Sequence, residues 1–232
     1  MTSKWISINS HDGKSFDGYL ALPPTGTGPA IVLIQEIFGV NEHIRGVADQ
    51  YASAGFVVLA PDLFWRMDKR VELGYDQDGF GKGMAYMKQF NFDEAIEDLN
   101  STGKALRAMT EVTGKVASVG YCLGGTLSYV CAAKIGVDAA VCYYGGGTNT
   151  KLELVDSIEV PILFHFGEKD THIPAEAVGA VKKAFEGHHD ATIDVYPDAD
   201  HGFNCWARGS YNQKAAALAL GRSLEFLADT IC

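Results

Sequence analysis

The sequence predicts an α/β chain: a mostly parallel eight-stranded sheet with helices on both faces. Three observations carry that reading. Short β-rich runs alternate with helical stretches along the chain, the order that gives a parallel sheet with right-handed crossovers. Most of the later β-rich runs are nearly continuous apolar segments, as strands covered on both faces require. Two earlier runs are broken by polar residues and flank a turn, which adds an antiparallel pair at the N-terminus.

WISINS (5–10) and FDGYLAL (16–22) surround His11-Asp12-Gly13, a hairpin signal. The later strands are AIVLIQ (30–35), FVVLAP (56–61), KVASVG (115–120), DAAVCYY (138–144), PILFHFG (161–167) and ATIDVYP (191–197). The last alternates apolar and polar residues more than the others, which suits a sheet edge. Helical patterns fall near 42–54, 92–109, 123–134, 175–186 and 212–230. Two antiparallel strands followed by six parallel ones is the strand count of the α/β-hydrolase fold. Residues 62–91 fit no simple crossover, because aromatics, charges and glycines are mixed there. Irregular or short helical structure, arching over one end of the sheet like a lid, is expected.

At 232 residues the chain suits one domain spanning 1–232. The net charge of −10 argues against nucleic acid and anionic membrane surfaces, both of which select basic patches. Val116 to Ala133 is uncharged and nominally long enough to span a bilayer, but its glycines, serines and threonine fit a buried strand–turn–helix better. No apolar leader segment stands at the N-terminus. The five cysteines (122, 131, 142, 205 and 232) contain no CxxC and form an odd, widely spaced set. A cytoplasmic protein, monomeric or a small homo-oligomer, with no metal and no cofactor, is the expectation.

Chemistry enters at GYCLGG (120–125). Gly120-x-Cys122-x-Gly124 is the nucleophile-elbow frame G-x-S-x-G with cysteine in place of serine, set between a strand and a helix. Glycines are needed where the strained turn brings backbone segments together. The new helix offers unpaired N–H groups and a positive dipole end to the sulfur, surroundings that favour thiolate chemistry. Taken alone, the same pentapeptide also fits a buried structural cysteine.

Partners shift the balance. Asp170 follows the strand PILFHFG and His201 follows ATIDVYP, both just beyond carboxyl ends of strands, where open α/β sheets build their sites. The order Cys122…Asp170…His201 is the nucleophile–acid–base order of α/β-hydrolases. Glu168 and Asp198 are alternative acids; His172 is a decoy or a pocket wall. His165 lies inside a strand and reads as a satisfied core histidine, and His188-His189 as solvent-exposed. No histidine pair has metal-ligand spacing. The amides of Leu123 and Ile37 are the expected oxyanion donors. Glu36 stands beside them, placed to contact the thiol or the histidine, or alternatively to point to solvent or cap the helix near Asn41.

QEIFGVN (35–41), APDLFWR (60–66), VGYCLGG (119–125), YYGGG (143–147), GEKDTHIP (167–174) and ADHGF (199–203) together resemble the dienelactone hydrolases, or carboxymethylenebutenolidases. The resemblance implies a Cys–His–Asp triad that opens enol-lactones through a thioester acyl-enzyme, with Glu36 controlling the thiol. It implies a small lactone or ester as substrate. It also implies substrate contacts near Tyr144 and Phe203. The chain departs from the family where the substrate carboxylate is held. Family members place one arginine in the lid stretch and another four residues after the catalytic histidine. Here the second position is Cys205, and the lid's GYDQDGFGKGM offers Lys82. Arg66, Lys82 and Arg208 are the cations that could compensate; without one of them, discrimination between carboxylated and uncharged substrates should be weak. Two other readings stay open: a general carboxylesterase or thioesterase, and a non-catalytic redox-responsive binding protein.

Overall fold

The computed structural model describes residues 2–232. Eight strands form one sheet: β1 (Thr2–Asn9), β2 (Ser15–Leu22), β3 (Gly28–Ile34), β4 (Val57–Pro61), β5 (Val112–Tyr121), β6 (Ala139–Tyr143), β7 (Ile162–Gly167) and β8 (Ala191–Tyr196). Their spatial order is β1-β2-β4-β3-β5-β6-β7-β8. β2 runs antiparallel to both its neighbours, and β3 to β8 pair in parallel. β8 closes one edge, and all of it but Tyr196 is half-buried or exposed.

Six helices connect or close these strands: α1 (Glu42–Ser53), α2 (Gln77–Met87), α3 (Phe92–Arg107), α4 (Leu123–Lys134), α5 (Ala175–Ala184) and α6 (Gln213–Ile231). Alternation along β3 shows why its run is apolar throughout. Ile31 and Leu33 join a core with Ile44 and Val47 of α1 and Leu227 of α6. Ala30, Val32 and Ile34 join a second core with Leu99 and Leu106 of α3 and Leu127 of α4. Each strand residue thus meets a helix on one face or the other, and a polar substitution at any of them would be buried unpaired.

The stretch 62–91, expected to be irregular or short helical structure, holds one three-turn helix, α2. Three glycines at 79, 81 and 83 oppose helix formation on propensity grounds. Tertiary packing overrides them. A Cβ at Gly79 would strike the Gly74 carbonyl, and one at Gly83 would strike the Ile37 carbonyl, so the helix lies directly on backbone along this face. Asp76 caps its first turn by accepting from the Gly79 N–H at 2.7 Å. Among the described residues, no helix is long and apolar enough to cross a membrane.

Candidate active site

The carboxyl ends of β3, β5, β7 and β8 bring the site together. β5 ends at Tyr121, α4 begins at Leu123, and Cys122 occupies the corner with φ 56° and ψ −113°. A non-glycine residue held there costs of order 1–3 kcal/mol and persists only where surroundings enforce it. The enforcement is visible. The Cys122 N–H donates to the Tyr143 carbonyl at 3.0 Å, and the Cys122 carbonyl accepts from Gly125 N–H at 2.9 Å. A Cβ on Gly120 would overlap the Gly124 carbonyl, and one on Gly124 the Ile34 carbonyl, so both glycines are required by close approach.

Loops then deliver the partners. His201 Nε2 lies 3.1 Å from Cys122 Sγ, and His201 Nδ1 lies 2.7 Å from Asp170 Oδ2. The other carboxylate oxygen, Asp170 Oδ1, accepts from the His172 and Ile173 amides at 2.8 and 3.1 Å. That second set of bonds fixes the acid's plane, and through it the imidazole. Asp170 and His201 are both buried. Burial alone pulls the His201 pKa down; the Cys122 charge, the hydrogen bonds to Asp170 and Cys122, and the Asp170 charge outweigh it and push it up to about 10. The site thus favours the protonated ring against the desolvation that burial imposes.

Ile37 and Leu123 line the cavity beside Cys122. Leu123 is the first residue of α4, where amides lack intrahelical partners. Gln35 holds the other side of the loop: its Oε1 accepts from Leu63 N–H at 3.1 Å. Gly83 of α2 sits against the Ile37 carbonyl.

Glu36 is fully buried, but its partners differ from those expected. Oε2 accepts from the Tyr75 hydroxyl at 2.7 Å, and Oε1 accepts from Arg208 Nη1 at 3.3 Å. Among the described residues it makes no hydrogen bond to Cys122 or His201. The thiol is already engaged by His201, and the carboxylate is balanced by the guanidinium. Burial and the Glu36 charge hold the Tyr75 phenol far above its usual range, so it stays a donor.

Most of the sequence-based substrate contacts lie elsewhere. Arg66 is sequestered away from the cavity: Nη2 meets Asp98 Oδ1 at 2.9 Å, and Nη1 meets Asp12 Oδ2 at 2.7 Å. A buried Asp98 needs a cation, and Arg66 supplies it. Lys82 is exposed on α2 and pairs with Asp78 one turn back at 2.8 Å. Cys205 is fully buried next to Glu36 and Tyr75, with its thiol pushed up to about 12 by burial and the Glu36 charge. Tyr144 and Phe203 are buried behind the histidine: the Tyr144 ring centroid lies 5.2 Å from His201 and 5.3 Å from Phe203. Neither lines the cavity. His172 does, with its ring centroid 5.0 Å from that of His201. His165 is satisfied in the core by Ser223 and Tyr196 at 2.9 Å each. His188 is half-buried, its Nε2 2.8 Å from the Ile158 carbonyl oxygen.

Of the three cations singled out in the sequence, Arg208, seven residues after His201, is the one that reaches the cavity. Its guanidinium also lies 5.7 Å from the Phe38 and Tyr75 ring centroids. The sequence signal for it was weak, since the loop DADHGFNCWARG places an arginine three positions beyond the family's spacing. Lys151, also lining the cavity, had no sequence signal. For a metal, the closest donor set is Glu36, His43 and Cys205, whose ligand atoms lie within 4.8 Å of one another. A carboxylate, an imidazole and a thiol suit zinc, but Arg208 already neutralises Glu36 and a dication would have to displace it.

The model of the dienelactone hydrolase family matches residues 16–231. The chain belongs to the dienelactone hydrolase family. It is 36% identical over 230 residues to a carboxymethylenebutenolidase of Pseudomonas putida, covering 98% of this chain and 97% of that one. It is 34% identical over 229 residues to carboxymethylenebutenolidase 1 of Cupriavidus pinatubonensis, with coverage of 98% and 97%. A solved structure of a candidate dienelactone hydrolase from Klebsiella pneumoniae superposes with a TM-score of 0.86 at 28% identity, covering 98% of each chain. The eight-stranded sheet is accordingly the α/β-hydrolase fold.

Proposed function

We propose that this protein hydrolyses enol-lactones of the dienelactone type, and related small activated esters, through a cysteine acyl-enzyme. The observation that carries the reading is the single imidazole bridging a strained elbow thiol at 3.1 Å and a buried, amide-anchored carboxylate at 2.7 Å. Named relatives that span nearly the whole chain support the substrate class.

Cys122 Sγ adds to the ester carbonyl carbon, and the oxygen that becomes negative sits at the Leu123 and Ile37 amides. The carbon–oxygen bond to the leaving group then breaks. An enolate leaves readily because its charge is delocalised, and the His201 imidazolium can supply a proton to it. Water attacks the thioester next, giving its proton to His201 while Asp170 holds the ring. The carboxylic acid product forms and Cys122 returns as thiolate.

Arg208 is the group to receive a substrate carboxylate. Its five N–H donors allow it to keep Glu36 and accept a second anion. Glu36 is then the counter-ion of an empty site and controls the thiol indirectly, through Arg208, and not by touching it. The segment around α2 serves as the lid, because its Phe80, Met84 and Met87 side chains line the cavity.

The test is Cys122→Ala, assayed on dienelactone and on p-nitrophenyl acetate with circular dichroism as the fold control. Turnover should fall by about 10⁶-fold, the scale on which nucleophile loss operates. Wild-type enzyme quenched during turnover should carry one acyl adduct on the peptide containing Cys122. Retained turnover with intact structure would sink the nucleophile assignment.

A further inference from the structure

The cavity holding Cys122 and His201 is about 520 Å³, far more than a small lactone fills. One wall is apolar and open to solvent. Phe80 and Met84 of α2 and Phe92 at the start of α3 are 45%, 42% and 39% exposed. They are three of the six large hydrophobic side chains that the described surface leaves exposed, and all three line this cavity. Apolar side chains gathered at one mouth, not scattered singly, mark a binding surface. Methionine thioethers add adaptability to such a wall.

The same wall ends in a charge. The Lys151 ammonium lies 5.8 Å from the Phe92 ring centroid, and it forms no ion pair among the described residues. No carboxylate is among the residues lining the cavity. Arg208, the other cation, is occupied by Glu36. Lys151 is thus an uncompensated positive charge beside an uncovered apolar trough, continuous with the reacting centre.

We propose that this trough is a distal subsite for an extended apolar arm of the substrate ending in a carboxylate, with Lys151 as the carboxylate's partner. The proposal rests on the hydrolase reading above. It separates the protein from one built for compact lactones: Arg208 serves an anion near the reacting carbonyl, and Lys151 serves one at the far end of an arm. An ammonium on a flexible stem gives a point charge, tolerant of arm length. The arm excludes water from Phe80, Met84 and Phe92, and its terminus replaces solvent at Lys151.

Two matched pairs of esters test this on the full chain. p-Nitrophenyl hexanoate and the p-nitrophenyl mono-ester of adipic acid place the arm on the acyl side. 4-Propylphenyl acetate and the acetate of 3-(4-hydroxyphenyl)propanoic acid place it on the leaving side. p-Nitrophenyl acetate is the short reference. The expected result is a kcat/KM at least about tenfold higher for hexanoate than for acetate. In at least one pair the carboxylated member should be favoured by about fivefold or more. Lys151→Gln should erase the preference for the carboxylated member while keeping the chain-length preference. Met84→Ala with Phe80→Ala should erase the chain-length preference. A wild-type enzyme that turns over all five esters without either preference overturns the subsite and leaves the hydrolase reading standing. An enzyme inactive on all five, and on dienelactone, overturns the hydrolase reading and the subsite with it. A carboxylate preference that survives Lys151→Gln and is lost in Arg208→Gln assigns the anion to Arg208 and overturns the role of Lys151.

Discussion

Two buried histidines near the ends of adjacent strands behave in opposite ways. His201, in the loop after β8, is pushed up to about 10; His165, within β7, is pulled down to about 3. Both are buried, and burial lowers both. His165 meets neutral hydroxyls, Ser223 at Nε2 and Tyr196 at Nδ1, and Arg222 adds a repulsive charge. Asp194 stands 3.9 Å away and forms its closer pair with Arg222 at 2.8 Å. His201 meets a carboxylate on one nitrogen and a sulfur on the other. Burial sets the default of a neutral ring, and the carboxylate and the sulfur that His201 meets oppose it. The core histidine is thereby a structural crosslink, and the loop histidine the one suited to the acid–base role proposed above.

Removing one partner from each ring is the strongest way to break this contrast. Asp170→Asn should lower kcat by about 10⁴-fold, since the amide cannot stabilise an imidazolium and leaves the ring free to take the wrong tautomer. Tyr196→Phe removes the corresponding bond from His165, and kcat should stay within about twofold while the melting temperature falls. Equal losses of kcat in the two variants would mean that the distinction between the rings is false.

The anion site gives a smaller effect. Arg208→Gln should cut kcat/KM for a carboxylated lactone by about ten- to a hundredfold, the cost of one charge-assisted hydrogen bond. Uncharged esters should lose much less. Cys205→Arg, attractive from the family's spacing, should give no gain, because Cys205 is buried against Glu36 and Tyr75 with no room for a guanidinium. A selective gain in that variant would return the carboxylate to position 205.

The smallest effect sharpens the comparison with a third ring. His43 is 2% exposed, has no hydrogen bond on either nitrogen, and is pulled down to about 4 by burial and the nearby Arg208 charge. Its folded pKa lies below the ordinary 6.5 of the unfolded chain, so the unfolded state binds more protons as pH falls. The stability it contributes is complete above pH 6.5 and is lost as pH falls toward about 4. The gap corresponds to at most roughly 3 kcal/mol. His43→Leu should therefore match wild type near pH 7 and be more stable near pH 4 by urea unfolding. Parallel acid limbs in the two proteins would show that His43 does not titrate this way.

Much of the site was legible because it rests on local chemistry. GYCLGG alone left an elbow and a buried structural cysteine both open, but its glycines already marked the close backbone approach that Gly120 and Gly124 make. Asp170 and His201 were readable from their places after β7 and β8. Glu36 was singled out for contact with the thiol or the histidine, whereas its carboxylate is buried against Tyr75 and Arg208. Arg208 and Tyr75 come from loops 172 and 39 residues away in the chain, and no spacing rule links them. The place of α2 within 62–91 was not foreseen, for a related reason. Its glycines argue against a helix locally, and they make sense only once the Ile37 and Gly74 carbonyls lie beneath them.

By itself, then, the amino-acid order determined the strand sequence, most of the helices, the corner at Cys122, and where Asp170 and His201 fall after their strands. These depend on hydrophobic period, glycine sterics and the position of residues after strands, all of which act within a few residues. Tertiary structure alone decided which cation faces the reacting centre. Arg66 looked available until folding set it against Asp98 and Asp12, and Lys82 until helix α2 turned it to Asp78. Arg208 and Lys151 reach the cavity instead. A long charged side chain pairs with whatever anion the fold brings within a few ångströms, and that choice is made between segments far apart in the chain.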